Sequence, residues 1–389
     1  MSIESSKGTR LKQFNWGPGI FLIIYHLLLL IGVPSYLIFF DAPWGMIFVS
    51  AILMYITGLS ITMGYHRLYA HTSYKMNSVA EAILLFFGTM ATQGSALRWS
   101  FDHRHHHAFV DTDQDPYSIS KGFWYAHFLW LFEKPKEIDP KVVSDLMRKP
   151  LLVFQHRFYS LLMFGTNLLA FLSIGWIFDN YLGAFVFGCL MRMFVLHHLT
   201  WFINSLAHTW GARTFCKELS AVDNYIIALL TFGEGYHNYH HTFAYDYRNG
   251  IRWFHFDPTK WLIWILSKCG LAKQLRRVQT LQIEERLLSE HKEILLKKIQ
   301  DSLSLYKEEW ETKISHIIEN VLTKSKQVKK MKDIYYDLKK KNGEKEHLIA
   351  LKKEIKAVKR SLHEEYRSWK ALVRTLQASA TSSEMDKAF

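Results

Sequence analysis

Nine histidines, grouped in four places along the chain, have the residue type and spacing of metal ligands. They are His66, His71, His103, His106, His107, His208, His237, His240 and His241. The last three stand at positions i, i+3 and i+4, so on a helix they share one face within a single turn. The spacing recurs at 103–107. Because neutral imidazole is a common ligand of transition metals, we predict that these groups converge on two metal ions.

The remaining histidines of this set form looser pairs. Asn204 and His208 are four residues apart and share a helical face. His66 and His71 are five apart, so on an ideal α-helix they point about 140° away from each other. Either the helix ends between them, or each serves a different metal. A single histidine is more often structural than a ligand, but chance explains the whole array poorly.

Composition divides the chain into an apolar first half and a charged last part. Of 389 residues 49% are hydrophobic, yet the formal net charge is +13. After residue 272 there are 27 basic and 18 acidic residues, so 27 − 18 = +9 of the excess lies there. The length allows two or three domains. Cys189, Cys216 and Cys269 form no CxxC pair, which argues against a disulfide framework or a zinc finger.

Four apolar stretches predict membrane-spanning helices, at about 19–40, 44–64, 158–178 and 181–203. Within each pair the short connector has no Lys or Arg, whereas the segments on the other side carry many. The positive-inside rule then places both termini and every histidine group in the cytoplasm. A shorter stretch at about 79–96 is interrupted by glycines and predicts an interfacial or re-entrant helix.

The charged part of the chain carries two amphipathic series. Apolar residues recur every three or four positions from Leu295 to Val321 and again from Leu348 to Leu376, with a turn signal at 339–344. They predict a helical hairpin or strands of an oligomeric coiled coil over 273–378. The basic surface could meet anionic lipid, nucleic acid or an acidic partner, or could simply be solvated. We expect a disordered tail at 379–389.

Several motifs resemble those of membrane fatty-acid desaturases, most closely the stearoyl-CoA or acyl-CoA delta-9 desaturases of bacterial type. HRLYAH (66–71), DHRHHH (102–107) and EGYHNYHH (234–241) look like the three histidine boxes of that family. The match extends through DTDQDPY (111–117), GFWYAH (122–127) and WFINSLAH (201–208). It covers the chain from the first span to about Leu271, and order, spacing and flanking residues all agree.

The resemblance implies an all-α integral membrane protein with four transmembrane helices and a cytosolic helical cap that holds a di-iron site. The desaturase domain would be 19–272, after a cytosolic segment at 1–18 and before the C-terminal helical extension. All nine histidines would be iron ligands, and Asn204 would complete the set through a bound water. His105 occupies the family's variable position and is left out. Structural or supporting roles are expected for His26, His127, His156, His197, His198 and His255.

The resemblance also implies a bent tunnel for a long acyl chain. Residues expected to line the tunnel near the metals are Gln93, Trp99, Thr200 and Trp201. Met54 and Gly58 lie on one face of the second span and are candidates for the tunnel floor. Packing of these two residues against a neighbouring helix is an equally good explanation.

The implied activity is insertion of a cis double bond, at the delta-9 position, into a long-chain saturated acyl group. An unactivated methylene has no acidity, so acid–base chemistry cannot remove its hydrogen, whereas iron and molecular oxygen can supply an oxidant. Phe101 stands where animal acyl-CoA desaturases carry an arginine that contacts CoA, so the carrier is left open among CoA, carrier protein and lipid.

The implied partners are an electron donor and membrane lipid. No His-Pro-Gly-Gly segment of a fused cytochrome b5 occurs, so we expect a separate donor of the cytochrome b5 or ferredoxin type. We expect no nucleic-acid partner, and self-association through the C-terminal helices is an option.

Three other functions were weighed. A hydroxylase or acetylenase with the same boxes would be separated from a desaturase by its products. A zinc hydrolase is disfavoured because neither HxxHH cluster has the central glutamate of HExxH. A non-catalytic metal-binding scaffold, with the C-terminal helices as its working part, would form no double bond.

Overall fold

Helices are the main secondary structure of the protein, whose computed structural model describes residues 14–301, 307–341 and 344–379. It divides into two compact units, residues 1–278 and 279–389. In chain order the helices of the first unit are α1 (Trp16–Phe39), α2 (Trp44–Ser60), α3 (Ser78–Met90), α4 (Ala96–Phe109), α5 (Phe123–His127), α6 (Ser144–Met147), α7 (Pro150–Arg157), α8 (Tyr159–Ile177), α9 (Tyr181–Gly183), α10 (Arg192–Ser205), α11 (Tyr225–Leu230), α12 (His237–Thr242) and α13 (Pro258–Lys268).

Shorter elements join these helices. A π-helix at Ile61–Ala70 prolongs α2, and a second at Ala184–Met191 joins α9 to α10. Single 3-10 turns occupy Ile119–Lys121, Leu129–Phe132 and Leu206–His208. The strands β1 (Lys75–Met76) and β2 (Ala272–Lys273) pair antiparallel, with Lys75 opposite Lys273. This pairing ties the segment after the first histidine box to the end of the first unit.

Four continuous helical runs are long and apolar enough to cross a membrane, namely Trp16–Phe39, Trp44–Ala70, Tyr159–Ile177 and Tyr181–His208. Many large apolar side chains on them face outward; Leu30 and Ile38, for example, are 71% and 74% exposed. Such exposure suits a lipid surround rather than water. The predicted all-α membrane fold with four spans is confirmed. The second run ends at Ala70 rather than 64, because the π-helix continues it.

The predicted helix at 79–96 is interrupted. α3 ends at Met90, and the chain turns before α4 because Thr92 and Gly94 adopt φ of 60° and 88°. Ser95 then caps α4 by accepting a hydrogen bond from the backbone N–H of Arg98, 3.2 Å away. α4, which carries the second histidine box, therefore begins as a separate helix directly after the turn.

The second unit contains three helices, α14 (Thr280–Asp301), α15 (Lys307–Lys340) and α16 (Lys345–Ser379). Their apolar stripes bury a common core that includes Leu288, Ile314 and Trp369. The helical extension is confirmed; its described residues form three helices, whereas the sequence predicted a two-helix hairpin or strands of an oligomeric coiled coil. Residues 342–343 of the predicted turn, most of the 1–18 segment and nearly all of the 379–389 tail lie outside the described residues.

Candidate metal centre

The nine predicted histidines come together as two adjoining groups. The first holds five of them, His66, His71, His103, His107 and His240, and the second holds four, His106, His208, His237 and His241. In each group one nitrogen per ring lies within 4.8 Å of all the others. The groups abut, since the rings of His107 and His241 stack with centroids 4.2 Å apart. The structure therefore offers two nitrogen-lined sites side by side.

The π-helix at Ile61–Ala70 explains how His66 and His71 meet. In a π-helix the backbone bond joins residues five apart, and the His71 N–H donates to the His66 carbonyl at 3.1 Å. Five residues then make about one turn, so both rings point the same way, with centroids 4.8 Å apart. The helix does end between them, at Ala70. Both residues belong to the first group, so the structure favours this alternative over one in which each serves a different metal.

Each HxxHH box contributes to both groups. From α4, His103 and His107 enter the first group, while His106 enters the second. From α12 the division is reversed, because His240 enters the first group, while His237 and His241 enter the second. Positions i, i+3 and i+4 fan out over one helical face, so two such helices facing each other can divide their six rings between two centres.

Buried carboxylates orient two of the rings. The Nδ1 atom of His66 lies 3.0 Å from Glu234 Oε2, and that of His106 lies 2.9 Å from both oxygens of Asp115. A carboxylate only accepts, so the proton of each neutral ring is on Nδ1 and a lone pair is on Nε2. Burial alone would raise the pKa of Glu234, but His66 and Arg67 lower it to about 2. Glu234 is therefore ionised at any physiological pH.

At His208 a serine hydroxyl, rather than a carboxylate, contacts the Nδ1 atom of the ring. Its Nδ1 atom lies 2.6 Å from the Oγ of Ser220, whose hydroxyl donates to Asp111. Asp111 has a left-handed backbone, with φ of 64°, and also accepts from the Ser220 N–H at 2.7 Å. Because the Ser220 proton points to Asp111, the oxygen must accept from His208, which leaves the lone pair of Nε2 facing the second group. Among the residues that the structure describes, that Nε2 has no hydrogen-bond partner.

These groups fit transition-metal ions. Burial, followed by the neighbouring rings, holds the pKa of His103, His107 and His240 well below the usual histidine value, so the rings are neutral ligands. Nε2 lone pairs face other Nε2 atoms at 3.0 Å in the first group and 3.3 Å in the second. Five nitrogens exceed the four donors of a structural zinc site, and imidazole suits iron.

Asp115 provides a direct test of this orientation by carboxylates. We expect Asp115→Asn to weaken metal binding by about 10- to 100-fold, the usual cost of changing a partner that fixes a ligand ring. The affinity for Fe²⁺ or Co²⁺ would be measured by competition with a coloured chelator. Asp113→Asn is the matched control, because Asp113 is an exposed neighbour in the same loop. Equal affinities of the two variants would contradict the assignment.

A buried ionic network holds the first and third boxes together. The guanidinium of Arg67 lies 2.8 Å from Glu234 and 3.0 Å from Asp257, and all three side chains are at most 1% exposed. Asp257 also caps α13 through the Lys260 N–H. Gly235 lets this segment pass α11, because a Cβ there would lie 2.1 Å from the backbone nitrogen of Ala228. The network thus links the π-helix to the loop before α12.

A cavity of about 690 Å³ leads to both groups. Its wall includes His66, His103, His106 and His237, together with four of the residues predicted for the tunnel, Gln93, Trp99, Thr200 and Trp201, and also Asn204. Trp99 stacks on His103 with ring centroids 4.9 Å apart. The volume is in the range of small-ligand pockets.

Met54 and Gly58, the predicted tunnel floor, do not line this cavity. Met54 packs on the apolar core of the first unit. A Cβ on Gly58 would lie 2.3 Å from the ring of Phe232. Gly58 therefore packs against a loop residue rather than against the neighbouring helix of the alternative explanation, and the tunnel floor stays a prediction.

The remaining histidines lie outside the two groups. His105 contacts Lys136 at 2.8 Å. His127 bonds to Ser205 and His198, and His197 donates to the Ala91 carbonyl at 3.0 Å. Sequence reasoning gave no role to Glu234, Asp115, Asp111 or Ser220, although the first three lie in quoted motifs. An acidic residue beside a histidine box was the available signal.

Comparison with known proteins gives matches over most of the first unit. The family described as fatty acid desaturase matches residues 42–268. A probable acyl-CoA desaturase of Schizosaccharomyces pombe is 40% identical over 73% of this chain and 59% of its own length. Acyl-CoA desaturase 1 of Saccharomyces cerevisiae is 39% identical over 65% and 50%. An sn-2 palmitoyl-lipid 9-desaturase of Nostoc is 36% identical over 68% and 90%. The chain therefore spans little more than half the length of the two yeast proteins.

Proposed function

Because the chain belongs to the fatty acid desaturase family, we propose that it is an oxygen-dependent fatty acyl desaturase that inserts a cis double bond into a long saturated acyl chain. The observation that carries this proposal is the pair of histidine groups that both contribute rings to the wall of one cavity. All nine histidines are the proposed ligands, with Asn204 holding a water beside them. The proposed catalytic domain is 19–272.

The reaction removes two hydrogens from neighbouring methylenes. Two bound irons would supply, with molecular oxygen, the oxidant that an unactivated C–H bond requires. For each double bond, one oxygen molecule, two electrons from a donor protein and two protons give two waters. The chain's own residues orient the histidine ligands, hold the acyl chain and keep water out. Burial of His66, His103, His106 and His237 supports that exclusion of water.

The cavity is the proposed acyl site. Trp99 covers the His103 ring, and the Gln93 side-chain amide donates to Thr200 at 3.0 Å across the cavity. Together with Trp201 they would fix where the chain bends beside the metals. The names of several relatives, among them the Nostoc protein, specify position 9, which supports a delta-9 product.

The acyl carrier is proposed from the cavity's outer part. Phe101, which replaces the family's arginine, is buried, and the guanidinium of Arg98 lies 5.2 Å from its ring centroid. Arg98 and Lys136 both line the cavity and could meet a phosphate. Relatives are named for acyl-CoA and for lipid substrates. We favour a phosphate-bearing carrier. Activity assays with acyl-CoA, acyl-carrier protein and acyl lipid as separate substrates would show which carrier the enzyme uses.

Residues 91–95 form the turn that carries Gln93 into this cavity. The turn is held from α8, since the Gly94 N–H donates to the Tyr159 hydroxyl at 2.9 Å. It is also held from α10, where His197 donates to the Ala91 carbonyl. The position of Gln93 therefore depends on the hydrogen bonds that its turn makes to α8 and α10.

Tyr159→Phe should broaden the position of the double bond. The change removes the acceptor of the Gly94 N–H, so Gln93 can shift and the acyl chain can bend at more than one carbon. We expect a mixture of positional isomers where the unmodified enzyme gives mainly one, resolved by mass spectrometry of derivatised fatty acids. Tyr181→Phe, at the far end of the same hairpin, should leave the isomer pattern unchanged. A single isomer from both variants would remove this role of Tyr159.

Expression in a host that requires unsaturated fatty acids tests the proposed function. Growth without supplement, with new monounsaturated acyl chains in the lipids, is the expected result, and His237→Ala should abolish both. Hydroxylated products would instead indicate a hydroxylase. A purified protein that binds metal without oxidising any acyl group would indicate a scaffold.

The proposal also includes a separate electron donor, of cytochrome b5 or ferredoxin type, and a cytoplasmic location of the site. Adding each type of donor to purified enzyme would identify the one used.

A further inference from the structure

One face of α16 carries all the positive charge of that helix. The nine lysines and arginines from Lys345 to Arg374 are exposed, and at 3.6 residues per turn they fall within an arc of about 120°. The apolar residues Leu351, Ile355 and Trp369 lie on the other side of the helix and are buried in the unit. The basic face extends over 30 residues, or about 45 Å.

Separation of the charges distinguishes this face from an ordinary solvated surface, where both signs are usually interspersed. The acidic residues of α16 fall outside this arc; they are Glu346, Glu354, Glu364 and Glu365. In the part of the chain that the structure describes, Arg360 alone of the nine lies within 4 Å of a carboxylate, that of Glu364. Like charges at i, i+4, such as Lys352 and Lys356, oppose helix formation. An anionic surface against this face would relieve that repulsion.

We propose that the basic face of α16 binds the anionic headgroups of the membrane. The unit belongs to the same chain as four membrane-spanning helices, so a lipid surface is within reach at a high effective concentration. Anionic leaflets attract lysine clusters close to a membrane. A straight row of cations matches a flat surface of phosphates. The apolar side of α16 is already buried in the unit, so the contact is electrostatic and does not require insertion.

A second copy of the chain is the main competing occupant. The exposed side of α15 carries Glu308, Glu311 and Glu319 along one stripe, which could pair with the basic face of another molecule. Three carboxylates would leave most of the nine cations unpaired, whereas a lipid surface offers a phosphate to each. Charge matching therefore favours lipid.

The test uses the full-length protein in nanodiscs of phosphatidylcholine, with or without a third of the lipid replaced by phosphatidylglycerol. Acetylation of each lysine is measured by peptide mass spectrometry. Lys352, Lys353, Lys356 and Lys359 should react about fivefold more slowly in the anionic discs, the factor expected for attraction of a lysine to such a surface. About 0.5 M salt should abolish the difference. Lys313, exposed on α15, is the internal reference.

Matched variants show whether the face, rather than total charge, is responsible. The triple change K352Q/K356Q/K359Q should remove the protection of Lys353. The triple change K326Q/K329Q/K330Q on α15 removes the same charge elsewhere and should preserve it. Three results would each overturn the proposal. They are equal acetylation in both discs, protection that depends on protein concentration rather than on lipid charge, and protection only after an acidic protein or nucleic acid is added. Circular dichroism of each variant controls for folding.

Discussion

His107→Ala should reduce desaturation by more than about 100-fold and lower the bound iron from two ions per chain towards one. The loss should exceed the 10- to 100-fold cost of changing a residue that only orients a ligand, because a ligand itself is removed. The Nε2 atom of His107 lies 3.0 Å from that of His240, inside the five-membered group. Iron would be measured by elemental analysis of purified protein, and products by gas chromatography.

His105→Ala is the matched control for this experiment. His105 lies on the same helix, two residues away, but belongs to neither histidine group and contacts Lys136 instead. We expect this variant to retain two irons, since the removed ring lies in neither group of candidate ligands. If the two alanine variants lose iron equally, the division of this helix into ligands and a non-ligand is wrong.

Spacing alone predicted the histidine groups and the apolar spans, because both follow from local periodicity. The HxxHH boxes share a helical face whatever surrounds them, and about twenty apolar residues span a bilayer in any context. The meeting of His66 and His71 was not predictable from spacing. It depends on a change of backbone hydrogen bonding to i, i+5, which no residue type signals.

Contacts between distant segments were also invisible in the sequence. Glu234 precedes the third box, yet its carboxylate orients His66 of the first. Gly58 lies on the expected face of its helix, but the ring of Phe232, from a loop far along the chain, occupies the space beside it. Periodicity reports which face is buried, not which partner covers it.

Arg67→Met should lower the free energy of unfolding by about 3 to 5 kcal/mol, the usual cost of removing one partner of a buried ion pair. Its guanidinium contacts two carboxylates that are at most 1% exposed, so the variant would leave both charges buried without it. Unfolding would be followed by tryptophan fluorescence during titration of mixed micelles with SDS. Lys149→Met is the control, because its pair with Glu81 is 41% exposed at the lysine and should contribute no more than about 1 kcal/mol.

A second substitution separates the ionic effect from the loss of side-chain packing. In the double variant R67M/E234Q one of the unpaired charges is gone, and the glutamine oxygen can still accept from His66, so part of the lost stability should return. No recovery would mean that the packing of Arg67 matters more than its charge.

In the unmodified protein Glu234 is ionised in the folded state, because its pKa is lowered from 4.5 to about 2. Its contribution is therefore fully present above pH 4.5 and is lost as the pH falls towards 2. The same carboxylate orients His66. The pH range in which the fold loses stability should therefore coincide with the range in which the first histidine group loses its arrangement.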